Sequence, residues 1–95
     1  MATYICQVNV TEGEFQNPHE FVAVWGDIRD DVERLGGEIS NTFAVLGDYD
    51  FHLILQVPDE ETAFQATQVI ERHGLDTETS QAIPLDRLGE LVEDV

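Results

Sequence analysis

The chain has 95 residues, 42% of them hydrophobic, with 20 Asp and Glu against four basic residues and a formal net charge of −16. That length and apolar content predict one folded domain over residues 1–95 rather than a disordered segment. The four bases are Arg29, Arg34, Arg72 and Arg87, and no Lys occurs, so no basic stripe can form and binding to nucleic acid or an anionic membrane is excluded.

Thr3 to Val10 alternates, with Tyr4, Cys6, Val8 and Val10 on one face and Ile5, Gln7 and Asn9 on the other. This is the pattern of a half-buried strand. Thr11 to Gln16 reads as a loop. Asn17-Pro18-His19-Glu20 is a helix start, with Asn17 as the cap, Pro18 at the first helical position and Glu20 closing a capping box. Phe21, Trp25, Ile28, Val32 and Leu35 then recur at steps of four and three, one apolar stripe on about five turns of helix. Asp30 and Arg34 stand at the i,i+4 spacing of a helix-surface ion pair. Gly26 lies mid-helix, where it would permit a close approach, and Gly36-Gly37 stops the helix.

A second strand follows over Glu38 to Leu46, with Ile39, Phe43 and Val45 expected to share a face. Gly47-Asp48 signals a turn, with a positive φ expected at Gly47. Asp50 to Val57 is the clearest strand: Phe51, Leu53, Leu55 and Val57 alternate with Asp50, His52, Ile54 and Gln56. Pro58-Asp59 ends it and caps a helix over Glu60 to His73, with Ala63, Ala66, Thr67 and Ile70 inward and Gly74 closing it. Thr77 to Ile83 is a polar strand that suits a sheet edge. Pro84 breaks it, and Leu85, Leu88, Leu91 and Val92 mark a short terminal helix.

The order is βαββαβ plus a tail helix. Two split βαβ units give an α+β fold, the ferredoxin-like plait, with an antiparallel sheet and two helices on one face. The helices cover Cys6, Val8, Phe51, Leu53 and Leu55. The opposite face then carries Ile5, Gln7, Asn9, Asp50, His52, Ile54 and Gln56, too apolar for a solvated surface and too polar for a dry core. Such a face meets a partner subunit, a ligand or both. Two copies packed face to face would enclose a lined cavity at a two-fold axis, so a homodimer holding a small molecule is expected.

His52 is the chemical candidate on that face, since its charge changes near neutrality, and Asp50 two residues away could orient it. No triad or oxyanion pattern accompanies the pair, so an interface role weighs above catalysis. Metal ligation lacks its spacings, because no H-x₃-H or Cys-x-x-Cys occurs, and no cofactor fingerprint is present. Cys6, the only cysteine, is read as a buried inert thiol in a cytoplasmic protein. His73 suits the last turn of a helix, and His19 a first turn at the surface. There is no apolar run of about 20 residues and no signal-peptide pattern. Acids spread over helices and loops, with Lys absent, point to a halophile with a salt-filled cell interior.

At Leu46-Gly47-Asp48-Tyr49-Asp50 the chain resembles the GYD-domain family, named for a Gly, Tyr and Asp motif at the entrance to a central strand. Gly47, Tyr49 and Asp50 match that motif. Tyr4 with Val8-Asn9-Val10-Thr11, Leu35-Gly36-Gly37, and Pro58-Asp59-Glu60-Glu61-Thr62-Ala63 extend the similarity nearly end to end. The first loop departs from the usual pattern, and the basic residues common in relatives are missing. The resemblance implies a ferredoxin-like domain akin to dimeric α/β barrels and assigns no chemistry. Tyr49 is expected to pack with helix-side residues and send its hydroxyl to the rim. The ligand-contacting set is then Gln7, Asn9, Tyr49, His52, Ile54 and Gln56. Three functions remain: a ligand-binding or regulatory module, a cofactor-independent oxygenase or isomerase using His52 and Asp50, or a purely structural interaction module.

Overall fold

The computed structural model describes residues 1–10 and 18–93. The loop at Thr11 to Gln16 and the cap at Asn17 lie outside the described residues. The elements are β1 (Ala2–Val10), α1 (Pro18–Arg34), β2 (Glu38–Ala44), β3 (Phe51–Val57), α2 (Glu60–Arg72), β4 (Leu75–Ala82) and α3 (Leu85–Glu93). The four strands form one antiparallel sheet in the order β2-β3-β1-β4, which is the ferredoxin-like plait. β4 begins two residues earlier than its polar run suggests, because Leu75 pairs with Val10 and is buried.

One side of the sheet and the two long helices make the core. Cys6, Val8, Leu53, Leu55 and Val57 are fully buried from the sheet, and Ile28, Val32, Ala66 and Ile70 from the helices. The alternation in β1 and β3 produces this directly, since paired residues project to the same face: Cys6 stands opposite Leu53 and Tyr4 opposite Leu55. Phe51 continues the row under α1, with Phe21 and Trp25 edge-on to its ring, each at a centroid distance of 5.4 Å. Cys6 is buried, and burial pushes its thiol above the ordinary value, which keeps it protonated and unreactive.

The glycines do what backbone geometry requires at two places. Gly36 takes a φ of +88°, Gly36 N–H donates to the Glu33 carbonyl at 3.0 Å, and Gly37 N–H donates to the Val32 carbonyl at 3.1 Å. This is the Schellman closure of α1. Gly47 has a φ of +120° in the β2–β3 connection. Gly26, by contrast, serves no close approach: a Cβ built there meets nothing within 4 Å.

Two further expectations are corrected. Ile39, Phe43 and Val45 do not share a face, because a bulge between Ile39 and Asn41 inserts one residue into β2. Ile39 pairs with Leu55 in the core, while Phe43 pairs with His52 and is 51% exposed on the opposite face. Arg34 pairs with Asp31 at 2.9 Å, one position nearer than Asp30, and the same Asp31 lies 3.7 Å from His73 at the end of α2. The C-terminal ends of the two helices thus lie side by side.

Asp59 caps α2 as its position implies. Its carboxylate accepts from Thr62 N–H and from the Thr62 hydroxyl, both at 2.7 Å. The backbone hydrogen bond from Thr62, then the hydroxyl bond, hold its pKa below the usual value. A depressed folded-state pKa contributes stability that is complete above the unfolded pKa and lost as pH falls through the folded one. In molar salt, where general charge repulsion is screened, Asp59→Ala is expected to lower the melting midpoint by about 5 °C at pH 7. The difference from wild type should shrink below pH ~4. A deficit of equal size at pH 3 and pH 7 in thermal melts would contradict that assignment.

Candidate functional site

The uncovered face of the sheet is organised as rows across the strands. Strand pairing sets Glu78, Gln7, His52 and Phe43 in one row, Ser80, Ile5, Ile54 and Asn41 in the next, and Ala82, Thr3, Gln56 and Glu38 in a third. No described element covers this side as α1 and α2 cover the other: Ile5 is 40% exposed, and Gln7, His52, Ile54 and Gln56 are half-buried by their neighbours.

The His52 row is the chemically dense one. Gln7 Nε2 lies 3.4 Å from His52 Nε2, so the amide N–H donates to that ring nitrogen and a neutral His52 carries its proton on Nδ1. The Tyr49 ring stands edge-on to the His52 ring at 6.1 Å, and its hydroxyl donates to Glu78. Tyr49 therefore belongs to the open face. It does not pack with the helix-side residues, because the bends between β2 and β3 break the strict alternation before β3 begins. The Glu78 hydrogen bond, and secondly desolvation, push the Tyr49 phenol above its ordinary value, so it stays a hydroxyl at neutral pH.

Asp50 is used elsewhere. Its carboxylate accepts from Val10 N–H at 2.9 Å, while its own N–H is shared by the Val8 carbonyl at 2.9 Å and Asn9 Oδ1 at 3.1 Å. Asp50 and Asn9 thus clasp the ends of β3 and β1, and Asp50 makes no contact that orients His52. At the opposite end of the face, the Thr3 hydroxyl donates to Gln56 Oε1 at 2.8 Å. The structure brings Gln7, Tyr49, His52 and Glu78 together, sets Ile54 and Gln56 in the adjoining rows, and leaves Asn9 and Asp50 as a clasp at the edge.

Glu78 and Phe43 complete the row without having been singled out in the sequence. The alternation of Asp76, Glu78 and Ser80 was a readable signal for the first. Nothing local signals the second, since the bulge that turns Phe43 outward depends on pairing with β3. No Arg or Lys lies on any of the four strands, so His52 is the one residue of the sheet that can become cationic, among Glu78, Asp76 and Glu38.

The histidines off the sheet are local: His73 is the C-cap of α2, beside Asp31. Among the described residues, no three His, Cys, Asp or Glu side chains gather as a metal site. No helix among them is long and apolar enough to cross a membrane. Trp25 packs partly buried against the core, and its Nε1 has no hydrogen-bond partner among the described residues. A separate groove of about 300 Å³ lies between α2 and β4, lined by Tyr4, Ala63, Phe64, Thr67 and Gln81 among others. It holds one carboxylate, Glu60, and no cluster of reactive groups.

The GYD domain model matches residues 4–92. Among solved structures, the chain is similar to the leucine response regulatory protein LrpA of Mycobacterium tuberculosis. That likeness has a TM-score of 0.60 at 12% identity and covers 86% of this chain and 50% of that one. The chain therefore spans half the length of that regulator. It is also similar to the protein TTHA0845 from Thermus thermophilus, with a TM-score of 0.57 at 19% identity, covering 87% and 94% of the two chains. An ACT domain protein from Streptococcus pneumoniae gives a TM-score of 0.51 at 12% identity, covering 86% and 90%. At these identities the likeness is one of fold. No curated protein matches the chain.

Proposed function

We propose that this chain, which belongs to the GYD-domain family, is a homodimeric small-molecule-binding or regulatory module that uses the open face of its sheet. The observation that carries this reading is the His52 row. An uncovered face presents Gln7, His52, Tyr49 and Glu78 between apolar neighbours Ile5, Ile54 and Phe43, which suits a half-apolar ligand fixed by a few polar groups. Two such faces packed about a two-fold axis bury the isoleucines and leave the amides and His52 lining the space between them. The fold it shares with a leucine response regulatory protein and an ACT domain protein supports a regulatory role over a structural one. The acidic, lysine-free composition supports a cytoplasm rich in salt as its setting.

The face also favours one kind of ligand. With no base on the strands and Glu78, Asp76 and Glu38 around the row, an anionic ligand meets repulsion. A neutral or amine-bearing ligand can donate to Glu78 and accept from Gln7.

Cofactor-independent oxygenase or isomerase chemistry is the second reading, and His52 supports it. His52 Nε2 accepts a proton donor already, and the Tyr49 hydroxyl stands beside the same ring. His52→Ala separates the two readings. Ligand-induced thermal shifts across a library of neutral and cationic metabolites should identify a binder whose affinity falls ~10-fold or more in the variant. If wild type turns the binder over and the variant does not, the enzyme reading replaces the module. If the protein is monomeric at about 1 mM in molar salt, the shared cavity does not form and the proposal fails.

A further inference from the structure

Gly26 answers to no packing demand. It lies in the middle of α1, where glycine weakens a helix relative to alanine. A Cβ built there meets nothing within 4 Å, and its φ is not in the left-handed region. What Gly26 borders is a groove of about 410 Å³ between α1 and the sheet, a volume within the range of small-molecule sites. Thr42 of β2 and Phe51 of β3 form the sheet side of this groove. Both belong to the helix-covered face, since Thr42 pairs with the buried Leu53 and Phe51 lies under α1. On the helix side, Val22, Gly26 and Arg29 follow at steps of four and three and share one face. A side chain at position 26 would stand between Val22 and Arg29 and fill the groove. Its absence keeps the groove open.

The lining combines aromatic rings with a single charge. Phe21 and Trp25 stand edge-on to Phe51, and Arg29 lies one helical turn beyond Trp25. Arg29 is the only charged residue of the described lining, which includes no Asp or Glu. It is exposed and makes no ion pair among the described residues, although Glu33 stands four positions on. Arg ahead of Glu is the weaker order for such a pair, which leaves the guanidinium free for a ligand.

We infer that this groove is a second ligand site, for a small organic anion with an aromatic body and one carboxylate. The body lies against Trp25 and Phe51 in the space that Gly26 leaves, and the Arg29 guanidinium takes the carboxylate through paired N–H donors. The site is on the opposite face of the sheet from the His52 row and does not depend on it. The two select opposite ligands: the row has carboxylates and no Arg or Lys, and the groove has an arginine and no carboxylate. In molar salt the screening length is about 3 Å, so the chain's other acids act on a ligand only at contact and the lining decides.

Titration with phenylacetate and with its uncharged analogue phenylacetamide in about 2 M KCl, followed by heteronuclear NMR, tests this. Trp25 is the only tryptophan, so the indole N–H signal reports on the groove alone. Phenylacetate is expected to shift the Trp25, Gly26 and Arg29 signals and to bind at least ~5-fold more tightly than the amide. Arg29→Gln should abolish that preference and leave amide binding unchanged. Gly26→Leu should weaken both probes at least ~10-fold with circular dichroism unchanged. Gly26→Ala should raise the melting midpoint by about 4–8 °C, since the helix gains and nothing clashes. A preference that survives Arg29→Gln overturns the inference, as does a lower midpoint in Gly26→Ala or no shift with either probe at about 20 mM. Shifts confined to Gln7 and His52 would overturn this site and leave the proposed open-face site standing. Should Gly26→Leu lose its fold, the Arg29 comparison decides alone.

Discussion

Dialysis from about 2 M KCl into about 10 mM salt is expected to unfold the domain, and returning the salt to restore it. Twenty carboxylates on 6375 Å² of surface stand roughly 18 Å apart on average. The screening length is about 30 Å at 10 mM, so every carboxylate acts on several others; at 1 M it is about 3 Å and only direct neighbours interact. Some neighbours are close by construction: Asp27 and Asp31 stand one helical turn apart, and Asp76 and Glu78 share a face of β4. Folding holds these charges together, and a domain of this size has only about 5–15 kcal/mol to oppose their repulsion. Circular dichroism against KCl concentration should show a transition in the tens of millimolar. A neutral osmolyte at equal osmotic strength should not substitute fully for salt. Lowering the pH to about 4 in dilute buffer should recover structure, because protonation removes the same repulsion that salt screens. Full helix content at pH 7 and 10 mM salt would show that the charge is tolerated without screening, and the composition would then need another explanation.

Much of this arrangement was legible in the chain because it follows from local periodicity. The alternation of Phe51, Leu53, Leu55 and Val57 with His52, Ile54 and Gln56 assigned both faces of β3, and Asp59 announced the start of α2. What was not legible depended on pairing between distant segments. The bulge in β2 exists because Ile39 and Asn41 pair with successive residues of β3, leaving Ser40 between them with its hydroxyl donating to the Ile54 carbonyl at 3.3 Å. Nothing in Ser40-Asn41 states that in advance, yet it decides that Phe43 joins His52 and not the core. Tyr49 shows the same limit. It precedes β3 by two residues, where the chain bends and parity no longer predicts direction, and its partner Glu78 is 29 residues away. Asp50 looked like a partner for His52 by spacing, but the end of β1 offered the Val10 N–H and captured its carboxylate. Gln7, His52, Ile54 and Gln56 were readable on the open face from alternation alone, while the places of Phe43 and Tyr49 there and the hydrogen bonds of the row were not.

Leu53→Ala and Ile54→Ala, adjacent substitutions on opposite faces, should separate the core from the interface. Leu53 is fully buried opposite Cys6, in a cluster with Ile28, Val32 and Ile70. Its truncation leaves a cavity between sheet and helices and is expected to cost about 2–5 kcal/mol, which lowers the melting midpoint by roughly 10–30 °C in a domain of this length. That is a large part of the whole stability, and the loss should be independent of protein concentration beyond the shift any dimer imposes. Ile54 is half-buried on the open face opposite Ile5. In an isolated protomer its truncation removes little packing and should cost under about 1 kcal/mol. In a face-to-face dimer the same side chain lies inside the interface, so the cost appears as weakened association and grows as the protein is diluted. Thermal melts of both variants from about 5 µM to 500 µM in molar salt distinguish the cases. A concentration-dependent deficit confined to Ile54→Ala places a second sheet on the His52 row. Equal, concentration-independent losses at both positions would mean that the open face is covered from within the chain, and the His52 row would then be core and not a binding surface.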